Sequence, residues 1–325
     1  FPKKSFLSRK QEFYPGSYAI SEKPLKIIAN DKISISVVIY PTLQCANSQS
    51  IIEFGQFSLT LNTEGRVVFV CDAGSVVSSN AVSLRHWQRV EAQITKLGQI
   101  SISLGILDGA DTFKPTFKHL NRELDLSQSA SVVIAGQLNG DAITNCFNGK
   151  IEQPEIYVGP NRFASWDFSR NMSSMTVPGS GCPNLTLINA PTRAVTGSLW
   201  DASEMNWQHK PEHYASIAFH EDDIYDFNWE PDFSFVIPPN MPSGIYIMRI
   251  SCGDDYDAMP FFVCPEKDKP QAKVCVLVST FTYVIYGNHA RPDYDDTWLE
   301  KIADWNAYPH NPAQFQNYGL STYNN

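Results

Sequence analysis

The sequence lacks the short motifs that identify several common kinds of active site. Its seven cysteines include no C-x-x-C pair, so the spacing of a zinc site is absent. It has no G-x-S-x-G motif and no Walker loop, and serine-hydrolase and nucleotide chemistry therefore have no support. No apolar run approaches the about 18 residues needed to span a bilayer. These absences exclude the most easily recognised catalytic and membrane classes.

Positive charge is also scarce. The chain has 25 Lys and Arg residues against 34 Asp and Glu, a net charge of −9, which argues against a nucleic-acid partner. The odd number of scattered cysteines predicts a reducing cytoplasm. Cys71, Cys264 and Cys275 lie in apolar, strand-like runs, where a thiol behaves as a small hydrophobe. Two N-x-S/T sequons, at Asn171 and Asn184, point the other way.

The first 162 residues have the pattern of an all-β domain. Turn sequences with glycine at residues 61–65 and 96–99 indicate hairpins between neighbouring strands. The regular spacing of the strands favours a sandwich or jelly roll. The phrases at 86–90 and 147–154 resemble the concanavalin-like, laminin-G-type jelly roll. The predicted strands are residues 33–40, 50–60, 66–70, 90–94, 100–104, 131–135 and 150–158.

Residues 163–268 are predicted to form a second, immunoglobulin-like β-rich domain. Its first part, 168–207, is irregular and rich in Gly, Ser, Pro and Asn. Strands are expected at 233–236, 245–250 and 259–264, and a Pro-x-Gly-x-Tyr sequence leads into the second of them. The charged segment 265–270, with proline at both ends, marks a domain boundary.

Residues 270–325 are predicted to begin an α/β domain. The valine-rich run 273–279 has the pattern of a strand buried on both faces, and 296–305 that of a helix. One strand and one helix cannot bury a core, so we expect a truncated domain. Ligands of open α/β sheets bind beyond the carboxyl ends of the strands. The polar and aromatic residues at that place are Tyr283, Tyr286, Asn288, His289 and Arg291.

Three further features could carry chemistry. The segment 220–226 holds four carboxylates and a histidine, which suits a hard cation, but it lacks the spacing of an EF-hand and is expected to be a solvated or interdomain loop. The segment 253–257 is expected to be a turn. Cys275 lies within the predicted strand, whereas an amidotransferase nucleophile needs a sharp elbow after one, so we expect a structural cysteine.

Whole phrases resemble a known family. Taken in order along the chain, they resemble the large (beta) subunit of N,N-dimethylformamidase, an amidohydrolase that splits dimethylformamide into dimethylamine and formate. The resemblance covers residues from about 160 onward. The phrases lie at 189–197, 219–226, 243–249, 259–263, 280–283 and 319–323.

The resemblance implies a mononuclear iron held by two tyrosines and a glutamate. The tyrosines correspond to Tyr283 and Tyr323, with Tyr286 and Tyr318 as substitutes. The glutamate would lie beyond Asn325, so the chain alone is expected to lack part of the active site and to bind iron weakly.

The predicted function is therefore iron-dependent hydrolysis of a small amide, with a small partner subunit and homo-oligomerisation as possible assemblies. The alternative is a non-catalytic β-sandwich that binds carbohydrate or acts as a scaffold. Trp87 is the candidate aromatic for a glycan, although its sequence context is that of a core residue.

Overall fold

Strands form where apolar and polar residues alternate, because alternation lets one side of each strand face a core. The computed structural model describes residues 16–44, 46–107, 115–140, 142–223, 230–231, 233–266, 272–280 and 282–283. The chain divides into two units, Lys10–Glu230 and Phe1–Arg9 with Pro231–Asn325. The prediction of a mainly β protein is confirmed. No helix among these residues is long and apolar enough to cross a membrane.

Sheet A of the first unit has eight antiparallel strands in the order β17-β19-β1-β12-β4-β5-β6-β7. Its strands are β1 (Tyr18–Ser21), β4 (Gln49–Phe54), β5 (Phe57–Leu61), β6 (Arg66–Cys71), β7 (Gly74–Ala81), β12 (Val132–Ile134), β17 (Thr176–Val177) and β19 (Leu185–Ile188).

Sheet B has nine strands, with the order β10-β9-β8-β3-β15-β16-β18 and β21 pairing with both β15 and β20. A register shift within β15, where Gln153 has φ of 49°, lets its first half pair with β21 and its second half with β16. The strands are β3 (Lys32–Pro41), β8 (Gln88–Thr95), β9 (Gln99–Ile106), β10 (Thr116–His119), β15 (Gly149–Val158), β16 (Asn161–Trp166), β18 (Gly179–Ser180), β20 (Thr192–Val195) and β21 (Ser216–Phe219).

Three two-stranded ribbons complete the described strands. β2 (Leu25–Ile27) pairs with β11 (Gln128–Ala130), and β13 (Gln137–Asn139) with β14 (Ala142–Thr144). In the second unit β22 (Gly244–Cys252) pairs with β23 (Asp255–Val263) over nine residue pairs. A 3-10 helix spans Pro211–Tyr214.

The core of the first unit is built from alternate residues of both sheets. In β3 these are Ile33, Ile35, Val37 and Ile39, all fully buried. They belong to one cluster with apolar residues of sheet A, among them Phe54, Phe57, Leu59 and Phe69. Full burial of one such side chain contributes about 1.5–3 kcal/mol, so this cluster is the main source of stability.

The two predicted turns are confirmed. The Asn62 side chain accepts hydrogen bonds from the backbone N–H groups of Glu64 and Arg66, and Gly65 has a φ of 72°. Gly98, with φ of 80°, closes the turn between β8 and β9. The strand predicted for residues 50–60 is two strands, because Gly55 turns the chain with a φ of 55° and sets Phe54 opposite Phe57.

Strands on both sides of the predicted boundary at residue 162 belong to the same sheets. β16 crosses that boundary within sheet B, and β19 lies beside β1 in sheet A. The first unit therefore includes β17 to β21. The division of the chain lies between Glu230 and Pro231.

In the second unit, two of the three strands predicted between 233 and 264 are confirmed as β22 and β23. Residues 233–236 are not a strand. Residues 273–279 are not a strand either: Val274, Val276 and Leu277 are 80%, 74% and 94% exposed. A buried strand needs neighbouring strands for its backbone groups, and none pairs with this run among the described residues. The immunoglobulin-like and α/β domains stay predictions.

Candidate functional site

Tyr283 is the one predicted iron ligand that the structure describes. It stands in a helical turn, and its ring meets the edge of the Phe262 ring of β23 at a centroid distance of 5.6 Å. Half of the residue remains exposed. The phenol is therefore positioned by an aromatic contact, and not by a buried strand as the sequence predicted.

The other predicted site residues lie outside the described residues, and the structure does not test whether they meet Tyr283. These are Tyr286, Asn288, His289, Arg291, Tyr318 and Tyr323.

The β22–β23 ribbon that contacts Tyr283 carries apolar side chains on both faces. Phe262 stands opposite Ile245, which is 62% exposed. On the other face Tyr246 and Phe261 stack at 5.5 Å, and Phe235 meets Phe261 edge-on at 6.0 Å. Tyr283 thus stands beside a ribbon with exposed apolar side chains.

The turn predicted at 253–257 is confirmed. Gly253, with φ of 60°, joins the paired residues Cys252 and Asp255. Next to the turn, the Arg249 guanidinium lies 4.2 Å from the centre of the Tyr256 ring. These features account for the segment as the end of a hairpin.

The cysteines of the second unit differ from the sequence-based prediction. Cys264 and Cys275 are exposed, whereas Cys71 of the first unit is buried as predicted. A strand buried on both faces would have covered Cys275, and residues 273–279 do not form one.

The first unit contains a Ser–His–Asp arrangement at its end. Ser17 Oγ lies 3.3 Å from His220 Nδ1, and His220 Nε2 lies 3.1 Å from Asp223 Oδ1. However, Ser17 is fully buried, and its Oγ accepts the backbone N–H of His220 at 3.0 Å. A nucleophile must be open to its substrate. We therefore interpret the contacts of Ser17, His220 and Asp223 as structural and not catalytic.

Further hydrogen bonds tie the acidic phrase to distant parts of the chain. Asp223 Oδ2 accepts the backbone N–H of Gly16 at 2.7 Å, and the Asn189 side chain donates to the Gly16 carbonyl at 2.7 Å.

Burial, and next the charges of Glu221 and Asp223, raise the pKa of the Cys146 thiol to about 11. Across the described residues, no group of three or more His, Cys, Asp or Glu side chains could hold a metal ion.

The phrase at 189–197 also has a structural role. The Arg193 guanidinium donates to the backbone carbonyls of Phe168, Arg170 and Ser174 at 3.1, 2.9 and 2.8 Å. It therefore fixes the irregular segment between β16 and β17. Burial lowers the pKa of this guanidinium.

Trp87 packs inside the first unit. It is 9% exposed, and its ring lies 5.1 Å from that of Tyr40. The Lys150 ammonium stands 5.2 Å from the centre of the Tyr40 ring and 5.8 Å from that of Trp87. Trp87 therefore has the core-like packing that its sequence suggested, and its ring is not free to stack on a sugar.

Sequence patterns did not single out two charged residues of β15, Lys150 and Glu152. Alternation with Ile151 predicts that both face solvent, yet Glu152 is fully buried. Burial raises the pKa of its carboxyl group, and burial lowers that of Lys150. The segment that covers them is distant in sequence, so no local signal could have revealed it.

A shallow pocket of about 360 Å³ lies near the β2–β11 ribbon. Its lining includes Lys96, Glu123, Asp125 and Ser127, and Lys96 pairs with Glu123 at 4.0 Å. The polar character of this lining differs from the mostly apolar lining of small-molecule sites.

Comparison with known proteins identifies relatives for much of the chain. Residues 192–325 match the family described as N,N-dimethylformamidase beta subunit-like, C-terminal. The N,N-dimethylformamidase beta subunit of Paracoccus aminophilus is 32% identical over 228 residues, covering 59% of this chain and 30% of that protein. That of an Alcaligenes species is 30% identical over 315 residues, covering 80% of this chain and 41% of that protein. The chain thus spans less than half the length of either relative.

Solved structures with a similar course of the backbone are more distant. A putative carbohydrate binding protein from Bacteroides ovatus matches with a TM-score of 0.39 and 9% identity, over 54% of this chain and 58% of that one. A SAP-like pentraxin from Limulus polyphemus matches with a TM-score of 0.33 and 11% identity, over 46% and 71%. Matches at this level carry no argument about function.

The relatives found by sequence comparison have the family name that was predicted from the six stretches of sequence. The matched family covers most of those phrases, including the one that ends at Tyr283. By its sequence, this chain belongs to the N,N-dimethylformamidase beta subunit family.

Proposed function

We propose that this chain is part of an amidohydrolase that splits a small N-substituted amide into an amine and a carboxylate. The observation that carries the proposal is the match of residues 192–325 to the family, together with two relatives named N,N-dimethylformamidase beta subunit. The half-exposed position of Tyr283 supports it, because a ligand must be able to reach the phenol oxygen.

We further propose iron as the cofactor, held by Tyr283, Tyr323 and a glutamate. The donor set suits the ion: phenolate and carboxylate oxygens are hard, anionic ligands, and ferric iron is a hard Lewis acid. When bound, the ion would supply Lewis acidity, which polarises an amide carbonyl or acidifies a water molecule. Tyr283 would contribute its phenol oxygen, and the edge contact with Phe262 orients its ring.

The names of the relatives also suggest an assembly. Both are called a beta subunit, which supports another subunit as partner of this chain, and we propose that this partner is small. Homo-oligomerisation and a cytoplasmic location complete the proposal.

Release of dimethylamine by full-length, iron-loaded protein is the direct test. A panel of small formamides should be assayed with the iron-loaded protein and with the same preparation after chelation. We expect hydrolysis of at least one amide that is lost on chelation. No hydrolysis of any amide, alongside saturable binding to a glycan array, would establish the carbohydrate-binding alternative instead.

The placement of the tyrosine ligand can be tested with two matched variants of the full-length protein. Tyr283→Phe removes one oxygen, and we expect the free energy of unfolding to change by about 1 kcal/mol or less. Iron content, turnover and visible phenolate-to-iron absorption should nevertheless collapse, whereas Tyr286→Phe should keep most of each. The reverse result, with iron lost only in Tyr286→Phe, would move the ligand to residue 286.

A further inference from the structure

Two charged side chains of β15 attach a loop to the outer side of sheet B. The loop, residues 196–214, is named here the covering loop. Lys150 Nζ donates to the backbone carbonyl and the hydroxyl of Thr196 at 3.1 and 2.9 Å. Two residues further along the strand, Glu152 Oε2 accepts the backbone N–H of Ser198 at 2.8 Å. Lys150 and Glu152 lie on the same face of the strand, so they bind Thr196 and Ser198, which are close together in the loop.

The backbone of Gly197 packs closely against the carboxylate of Glu152. A Cβ atom on Gly197 would lie 3.1 Å from Oε2 and 3.3 Å from Oε1 of the carboxylate. Glu152 occupies a central place in the sheet, with Val38 and Ser216 as its neighbours on the adjacent strands. Its Oε1 atom is buried and has no hydrogen-bond partner among the residues that the structure describes. The ionised carboxylate is therefore incompletely solvated where it stands.

The covering loop closes on itself as well. The Gly197 N–H donates to the His213 carbonyl at 2.8 Å, and the Tyr214 hydroxyl donates to the Glu204 carbonyl at 2.8 Å. These bonds tie the end of the loop to its beginning, so an opening at Glu152 leaves the loop's own hydrogen bonds intact; the Ser216 hydroxyl of β21 also donates to the Thr196 carbonyl at 3.1 Å.

We propose that Glu152 is a proton-linked anchor of the covering loop, which detaches from sheet B more readily when this carboxyl group is ionised. Lys150 supplies a second attachment, at Thr196, and Glu152 supplies the one that depends on its own proton.

The direction follows from the surroundings of the carboxyl group. Burial raises the pKa of Glu152; hydrogen bonds from Ser198 and the charge of Arg89 lower it, and the charge of Asp167 raises it. When the loop opens, water reaches the carboxyl and its pKa returns toward the ordinary glutamate value. The attached state then holds the proton more tightly, so raising the pH favours the open state.

Other titratable groups stand in the same region and must be separated from Glu152. Within the covering loop, His213 Nδ1 lies 3.4 Å from Asp201 Oδ1, and Lys210 lies 4.0 Å from the other oxygen of Asp201. Any pH dependence that these groups contribute is unaffected by a change at Glu152 alone. A variant confined to Glu152 distinguishes the two effects.

The test is amide hydrogen exchange at Ser198 between pH 5 and pH 8, corrected for the intrinsic exchange rate. In the unaltered protein the opening equilibrium should rise with pH, by up to tenfold per unit while Glu152 ionises, and then level off. Glu152→Gln keeps an acceptor for the Ser198 N–H but carries no charge, and should lose that part of the slope. Glu212→Gln, at an exposed glutamate of the same loop, is the matched control and should keep it.

An equal slope in the unaltered protein and in Glu152→Gln would overturn the proposal, because the dependence would then belong to another group. If Glu152→Gln does not fold, the carboxyl carbon of Glu152 can be followed by NMR in the unaltered protein. A midpoint above that of Glu212 supports the anchor, and a midpoint equal to it or below it refutes the anchor.

Discussion

Replacing Arg193 by methionine tests whether the family phrase at 189–197 serves structure. Methionine keeps a long apolar stem and loses the guanidinium. The change therefore removes the three hydrogen bonds to backbone carbonyls between residues 168 and 174, while most of the packing remains. The irregular segment that joins β16 to β17 should lose its main attachment.

The expected loss can be worked from those contacts. A hydrogen bond from a charged donor contributes about 1.5–3 kcal/mol, but three of them do not add fully, because the half-buried guanidinium also lost its hydration. We expect Arg193→Met to lower the free energy of unfolding by about 2–4 kcal/mol, equivalent to about 5–15 °C in Tm for a unit of this size. Arg193→Lys retains the charge but not the planar fork, and should recover about half of the loss.

Denaturant unfolding followed by tryptophan fluorescence measures the change, since Trp166 lies in the core of the same unit. Arg162→Met is the matched control: its side chain is 59% exposed and makes one ion pair with Glu155, so the loss should be about 1 kcal/mol or less. The reasoning is refuted if Arg193→Met unfolds at the same denaturant concentration as the unaltered protein. It is equally refuted if Arg193→Lys and Arg193→Met are indistinguishable.

Two further predictions concern Gly16 and Cys146, which lie near the contact between Ser17 and His220 at the end of the first unit. Gly16→Ala should destabilise the protein by about 1–3 kcal/mol more than Gly159→Ala. Both glycines have positive φ, but a Cβ on Gly16 would lie 2.5 Å from Cys146 Sγ, whereas a Cβ on Gly159 would have no neighbour within 4 Å. Equal melting midpoints for the two variants would contradict this account. The Cys146 thiol, with its pKa raised to about 11, should resist alkylation at pH 8 while the exposed Cys252 reacts. Folding favours the neutral form of this thiol, so the free energy of unfolding should fall as the pH rises from the ordinary thiol pKa toward 11. Rapid alkylation of Cys146 in the native protein would show that the thiol is not buried.

The sequence predicted the sandwich well because its strands alternate. Residues 90–94 have one buried side and one polar side, and residues 33–36 alternate Ile with Ser; that period of two identifies a strand without knowledge of its neighbours. The run 273–279 has no such period. A continuous apolar run is consistent with a buried strand, but whether it is buried depends on elements elsewhere, and in the structure this run is exposed.

The candidate site was less predictable, for a related reason. The motif that ends at Tyr283 placed the tyrosine, but its contact with Phe262 depends on how the β22–β23 ribbon lies against the residues that follow it. Similarly, Ser17 and His220 are 203 residues apart; Ser17 precedes β1 of sheet A and His220 follows β21 of sheet B, so they meet only when both sheets have formed. Contacts of this kind have no signature in a local stretch of sequence.

The pairing of β1 has a consequence for how the chain is made. β1 lies between β12 and β19, so Tyr18–Ser21 must wait for Val132–Ile134 on one side and for Leu185–Ile188 on the other. At about 5–20 residues per second, a ribosome needs about 10–40 s to extend the chain by the 203 positions from Ser17 to His220. Contacts that are so distant in sequence also slow the folding step itself. Until both partner strands have been made, Tyr18–Ser21 stays unpaired, and its backbone groups and the Ala19 side chain remain accessible to other molecules.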